Sequence, residues 1–334
     1  MPRQVSIFMY GALFKDIILG VDRFPAEDSK LAARTVQTRR GGNTGNSLVV
    51  MSQYLGESDI HGQRVDVDLN MIGCYAGTPE SQAADVMVTD LTSRSISISS
   101  CIFRGPEFTD PTSWIIATPS TRTIVNHNTM PELSSAEFEA HVLPNIVSAS
   151  GEIWAHFEGR NCLELSRMIA RLDQWRTSQP DRRIRISVEF EKPRRLGMEA
   201  LLKQCDVAIF SAVYAADYGY DADHHDEFLR WIRPQCLPGC IQVITNGDRG
   251  ATLAQGPTDR HGECLLTHIP AGKVYGDAGV VDTIGAGDSF IGGYILGMAA
   301  LQMDPRPACE FGCRVASAKC GLVGFDGVAL LVKP

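Results

Sequence analysis

The strongest constraint on this chain is an alternation. Short apolar, β-branched runs at residues 5–8, 69–72, 153–157, 184–190, 207–210 and 241–245 each suit one strand. Among and after them come helical apolar patterns at 44–54, 163–176, 288–301 and about 309–323. That rhythm predicts an α/β fold, a largely parallel sheet covered by helices. Sites in such sheets lie beyond the carboxyl ends of the strands. Two stretches break the rhythm: residues 18–39 and roughly 95–126 are rich in Thr, Ser, Ile and Val and carry few helical signals. They read as extra strands, forming either a small sheet off the main layer or ordinary edge hairpins. No internal repeat, low-complexity tract or clear linker interrupts the 334 residues, which predicts one main domain with a strand-rich appendage.

Charge and cysteine usage exclude several classes. A net charge of −8 offers no basic face for nucleic acid. Basic runs at 182–185 and 192–195 lack interleaved aromatics and read as solvated surface. The ten cysteines are scattered, with no secretory start and no glycosylation sequon, so a disulfide frame is not expected. Cys236/Cys240 and Cys309/Cys313 have a spacing seen in zinc sites, with His224 and His225 near the first pair in sequence. Yet Cys309, Cys313, Ala316 and Cys320 share one helical face, which favours small buried residues. No apolar run reaches the length of a membrane span. A cytoplasmic protein with reduced thiols is expected.

Two motifs carry chemistry. In VVDTIGAGDSF (280–290), a β-branched lead-in meets Gly285 and Gly287 and opens a helix. A dinucleotide-binding Gly-x-Gly-x-x-Gly fails at Phe290, and no Gly-Lys-Ser/Thr occurs. What survives is the bare helix terminus, whose amides and partial positive charge attract an anion. Asp288 beside such a turn reads in two ways, as a helix cap or as a general base toward a hydroxyl that attacks a phosphate. In RRGGNTGNS (39–47), Gly41 and Gly42 precede Asn43 and Asn46 at another helix start. Asn43 could cap that helix. Alternatively both amides, with Asp16 and Asp28 upstream, form an oxygen-rich set suited to sugar hydroxyls.

Together the two motifs resemble the PfkB (ribokinase-like) carbohydrate kinases. That family carries a Gly-Gly-Asn element near its N-terminus and an Asp-Thr-x-Gly-Ala-Gly-Asp signature near its C-terminus, matched in full at 282–288. ILGVDRFPAEDS (18–29), RTIVNHN (122–128), WAHFEGRN (154–161), RIRISVEFEKPR (183–194) and FGCRVASAKCGLVGFDG (311–327) narrow the resemblance to its ketohexokinase branch. The resemblance implies the ribokinase-like fold with a small β-sheet lid, whose strands would fall within about 12–40 and 95–128 of a single 1–334 domain. It also implies a homodimer through the lid. The implied reaction moves the γ-phosphate of ATP to the C1 hydroxyl of D-fructose.

By the same resemblance, Asp16, Asp28, Gly42, Asn43 and Asn46 bind sugar, and Asp288 is both base and sugar contact. Gly285, Ala286 and Gly287 form the anion hole, and Arg122 meets nucleotide phosphate. Gly247, Asp248, Arg249 and Gly250 belong to the nucleotide site, and Cys313 and Ala316 border adenine. Magnesium is implied as cofactor, and some relatives hold a monovalent cation such as K+ near Asp282 and Thr283. The wider family's Asn-x-x-Glu motif is absent from SAVYAADYG (211–219). The metal ligands therefore stay open, with Glu189 and Glu191 as candidates acting through water. Glu158 and Arg160 match the branch, though an internal ion pair also explains them. The segment 101–120 is longer than the branch leads one to expect. Two rivals stand beside this reading: another PfkB-type sugar or nucleoside kinase, and a non-catalytic sugar- or nucleotide-binding regulator.

Overall fold

The computed structural model describes residues 2–55, 59–60, 63–118, 121–179, 181–256 and 264–334. Among these residues, six neighbouring parallel strands dominate a ten-stranded sheet. Arg3–Tyr10 pairs in parallel with both Gln63–Ile72 and Glu152–Glu158. Glu152–Glu158 is followed in parallel by Ile184–Phe190, Val207–Phe210 and Ile241–Thr245. Ala251–Gln255 and Leu265–Ile269 then extend that side antiparallel.

The apolar runs are continuous because both faces of these strands are covered. Val5, Ile7 and Met9 enter one core, while Phe8 and Tyr10 enter the other. Val207 and Ile209 divide from Ala208 and Phe210 in the same way. Helices Asn43–Ser52, Ala286–Ala299 and Pro305–Cys320 cover the first face. Cys162–Ser178 and His225–Ile232 cover the second.

Three expected strands, 184–190, 207–210 and 241–245, have the observed bounds. The strand expected at 69–72 begins earlier, at Gln63, because its first half alternates charged and apolar residues instead of running apolar. The helix expected at about 309–323 begins at Pro305 and ends at Cys320, since Asp304-Pro305 gives an ordinary helix start.

The strand-rich stretches do form a separate sheet. Its order is Arg122–His127, Thr112–Ala117, Phe14–Gly20, Thr35–Gly41. Residues 95–111 are not part of it, since Ile96–Ser97 joins the main sheet and Ile102–Phe103 pairs with Cys74–Tyr75. Of the long segment 101–120, residues 119–120 lie outside the described residues. Among the described residues, no helix is long and apolar enough to cross a membrane.

Candidate active site

A cavity of about 390 Å³ lies between the carboxyl ends of the main strands and the inner face of the small sheet. Glu158, Glu189, Phe210 and Thr245 reach it from successive parallel strands. Phe14, Asp16, Ser113, Ile115, Arg122 and Ile124 reach it from the small sheet, which acts as a lid. Strand alternation puts these six on one face, with Asp16 beside Ser113 and Ile115 opposite Ile124.

The turn at 282–288 is shaped by its own side chains and by glycine. Asp282 Oδ1 accepts the amide of Ile284 at 2.8 Å. Gly285 takes φ +78°, a left-handed geometry costly for other residues, and no side chain caps the helix it opens. A Cβ at Gly287 would meet nothing within 4 Å, so that backbone faces open space.

Asp288 is not the helix cap. It sits in the first turn, with Gly285 at the cap position. Its Oδ2 accepts from Asn46 Nδ2 at 2.7 Å. Burial pushes its pKa up to about 7; the Asn46 bond works against this, and Glu191 and Glu158 add to the rise.

Asn46 is oriented by a residue that sequence reasoning missed. Arg40 is buried, donates to Asp90 Oδ2 at 2.7 Å and donates to Asn46 Oδ1 at 3.0 Å. With its oxygen so occupied, the Asn46 amide must turn its NH2 toward Asp288. The signal was the arginine directly before the glycine pair, but its partner Asp90 lies 50 residues away. Neither does Asn43 cap its helix: Gly42 holds the cap position at φ +102°, and Asn43 Nδ2 donates to Glu191 Oε2 at 3.4 Å. Gly41 leaves room for the Asp16 carboxylate, which a Cβ there would strike. Burial raises the Asp16 pKa, opposed by a hydrogen bond to Ser113 and by Arg39 and Arg40.

Carboxylates crowd the floor. Glu189 is buried, its Oε2 has no hydrogen-bond partner, and its pKa is well above the carboxylate range. Burial is the first cause, then repulsion from Glu191, Glu158 and Asp288. Glu158 accepts the Ala12 amide at 3.0 Å and pairs with Arg160 at 3.2 Å, so the internal ion pair exists. Arg160 also donates to Glu132 at 2.7 Å. Lys192 and Arg195, from a run read as solvated surface, line the cavity as well.

Of the expected site residues, Asp16, Gly42, Asn43, Asn46, Arg122, Gly285, Ala286, Gly287 and Asp288 converge here. Asp28 does not; it is exposed, at φ +55°. Gly247–Arg249 is an exposed 3₁₀ turn followed by buried Gly250, with Arg249 paired to Asp223. Cys313 and Ala316 lie on Pro305–Cys320. These two groups flank the chain at 269–272, since a Cβ at Gly250 would strike Ile269 and one at Gly272 would press on Arg314. The two zinc-like cysteine pairs are packed as thiols, with Cys236, Cys240, Cys309 and Cys313 all buried. Among the described residues, no group of three or more His, Cys, Asp or Glu is arranged to hold a metal ion.

A family model described as pfkB family carbohydrate kinase matches residues 4–327. The chain belongs to that family. A mouse ketohexokinase is 32% identical to this kinase over 329 residues, covering 97% of this chain and 99% of that one. Ribokinase from Giardia lamblia has the same fold, with a TM-score of 0.72 at 16% identity over 98% of this chain and 96% of that one. Arabidopsis thaliana ribokinase, solved with ribose and ATP, gives a TM-score of 0.66 at 14% identity over 97% and 94%. The fold is ribokinase-like, and the protein is an ATP-dependent carbohydrate kinase.

Proposed function

We propose that this kinase phosphorylates a ketohexose, D-fructose above all, at the C1 hydroxyl, giving fructose 1-phosphate and ADP. The observation that carries the reading is the Asn46–Asp288 contact, a carboxylate held 2.7 Å from an oriented amide beside an uncapped glycine turn. The mouse ketohexokinase likeness favours the sugar class.

Asp288 accepts the proton of the attacking hydroxyl. Its elevated pKa keeps it a competent base near neutral pH without ionising so readily that it loses proton affinity. The backbone at 285–287 receives the negative charge of the transferring phosphoryl group, aided by the helix terminus. Asp16, Asn43 and Asn46 hold the sugar hydroxyls, and Gly42 lets the backbone approach them. Arg122, on the lid, pairs with nucleotide phosphate oxygens. Gly247, Asp248, Arg249 and Gly250, with Cys313 and Ala316, would border the adenosine. Asp28 would reach sugar only if the lid loop carrying it moves or a second copy supplies it.

Magnesium fits the carboxylate floor. Glu189, with one unpartnered oxygen, and Glu191 would hold it through water, since this ion takes one or two carboxylates plus waters and phosphates. When bound it would offset phosphate charge. We also assign the chain to one kinase domain that dimerises through the lid, whose outward face exposes Val36, Trp114 and Val125.

The test is a panel of ketoses, aldoses and nucleosides with ATP and magnesium, with the phosphorylated carbon identified by NMR. Turnover on fructose at C1 supports the proposal. Preference for a nucleoside or an aldose overturns the substrate.

A further inference from the structure

Lys319 has no accessible surface, a rare state for a lysine. Its Nζ lies 2.8 Å from Asp282 Oδ2 and donates to the Asp282 carbonyl at 2.7 Å. The same ammonium stands 5.6 Å from the centre of the Phe325 ring. One cation therefore gathers the carboxylate, the backbone oxygen and the aromatic ring that underlie the start of the glycine turn.

Those three groups are tied to the turn itself. Asp282 Oδ1 accepts the Ile284 amide, and Oδ2 accepts the Gly324 amide at 3.4 Å. The amides of Val281 and Asp282 bond to Cys320 O at 2.7 and 3.1 Å. Phe325 fills the space where any residue at 285 would carry its Cβ. Gln53, bonded to Phe325 O and to the Gly327 amide at 2.9 Å each, fixes that loop to the helix bearing Asn46. Without the ammonium, Asp282 would be left as an unpaired, half-buried carboxylate directly before the anion-binding amides.

We infer that Lys319 is a positioning residue for phosphoryl transfer: through Asp282 and Phe325 it holds residues 284–287 in the shape that receives the phosphoryl group. This rests on the kinase reading of the turn. Lys319 does not line the cavity. Its effect should fall on kcat and on affinity for the terminal phosphate, and it should spare the sugar KM.

The experiment compares wild type, Lys319→Ala and the neutral pair Lys319→Met/Asp282→Asn. Each is measured for kcat, sugar KM, thermal midpoint, and calorimetric affinity for AMP and for a non-hydrolysable ATP analogue. Misplaced amides should lower kcat of Lys319→Ala by about 10²-fold. Its preference for the analogue over AMP should shrink, with AMP affinity unchanged. Propylammonium supplies the three carbons and the charge that alanine lacks, so it should restore part of kcat. Tetramethylammonium is too bulky and should not.

If Lys319→Ala does not fold, the near-isosteric neutral pair carries the test, because removing both charges leaves neither one buried alone. A folded neutral pair with wild-type kcat and analogue affinity overturns the inference. So does a loss confined to sugar KM, or a folded Lys319→Ala that propylammonium does not rescue. A wild type inactive on every acceptor would overturn the kinase reading. The analogue-versus-AMP affinities would then still decide on positioning.

Discussion

The two walls of the cleft differ in kind. On the main-sheet side, Asp288, Asn46, Glu158 and Glu189 are buried, and the first three are locked by partners from distant parts of the chain. On the lid side, every residue of Arg122–His127 is exposed, and Val36 and Trp114 are exposed on the outward face. Burial raises a carboxyl pKa on both walls, at Asp16 as at Asp288, but Asp288 alone of the two stands in the first turn of the helix opened by Gly285, so the proposed base belongs to the first wall. An exposed edge strand such as Arg122–His127 has less packing to lose on moving than the main sheet does. The lid contributes contacts; the core contributes reactivity.

The sharpest way to break that contrast is Asp288→Asn. It should fold yet lose about 10²- to 10⁴-fold in kcat, measured by coupled ADP release; wild-type turnover would move the base elsewhere.

A second test uses pH. With the Asp288 pKa near 7, kcat/KM should fall about tenfold per unit below it as the base becomes protonated. Asn46→Leu removes the bond that lowers this pKa, so the acid limb should move to higher pH. A limb unmoved by that change would show that another group sets it. The same shift has a stability sign. A carboxyl whose folded pKa exceeds its unfolded value of about 4 makes the protein less stable as pH climbs from there toward 7. Asp288→Asn should lessen that slope in thermal melts, the remainder coming from the raised carboxyls of Glu189 and Asp16.

On the lid wall, effects should be smaller and of a different type. Arg122→Ala should raise the KM for ATP about tenfold, the scale of one charge-assisted hydrogen bond, with an unchanged melting temperature. A large loss of stability instead would make Arg122 a structural residue. Smallest for catalysis, if the proposed dimer forms through the lid, Trp114→Glu with Val125→Glu should convert it to monomers in sedimentation while leaving kcat nearly unaltered. A dimer that survives both charges would relocate the interface.

Much of this was legible because it is local. VVDTIGAGDSF encodes its own turn: glycine at 285, an Asp282 side chain reaching two residues on, and a helix that follows at once. The apolar strand runs were readable because a strand covered on both faces is apolar throughout. Legibility failed where partners are remote. Nothing near Asp288 in sequence announces Asn46, 242 residues earlier, nor near Lys319 announces Asp282, 37 residues before it. Capping looked equally good for Asp288 and Asn43 because cap preference is a property of short windows. Only the backbone angles put Gly285 and Gly42 at those positions.

The sequence by itself determined the α/β layering, the glycine turn and the family, since strand periodicity, turn chemistry and signature spacing are all written in consecutive residues. Tertiary structure alone decided that Asp288 is buried and bonded to Asn46, that Arg40 orients that amide, and that a lysine lies sealed beneath the turn. The reason is physical. Burial and charge pairing depend on which segments are packed together, and packing is settled by the whole chain at once.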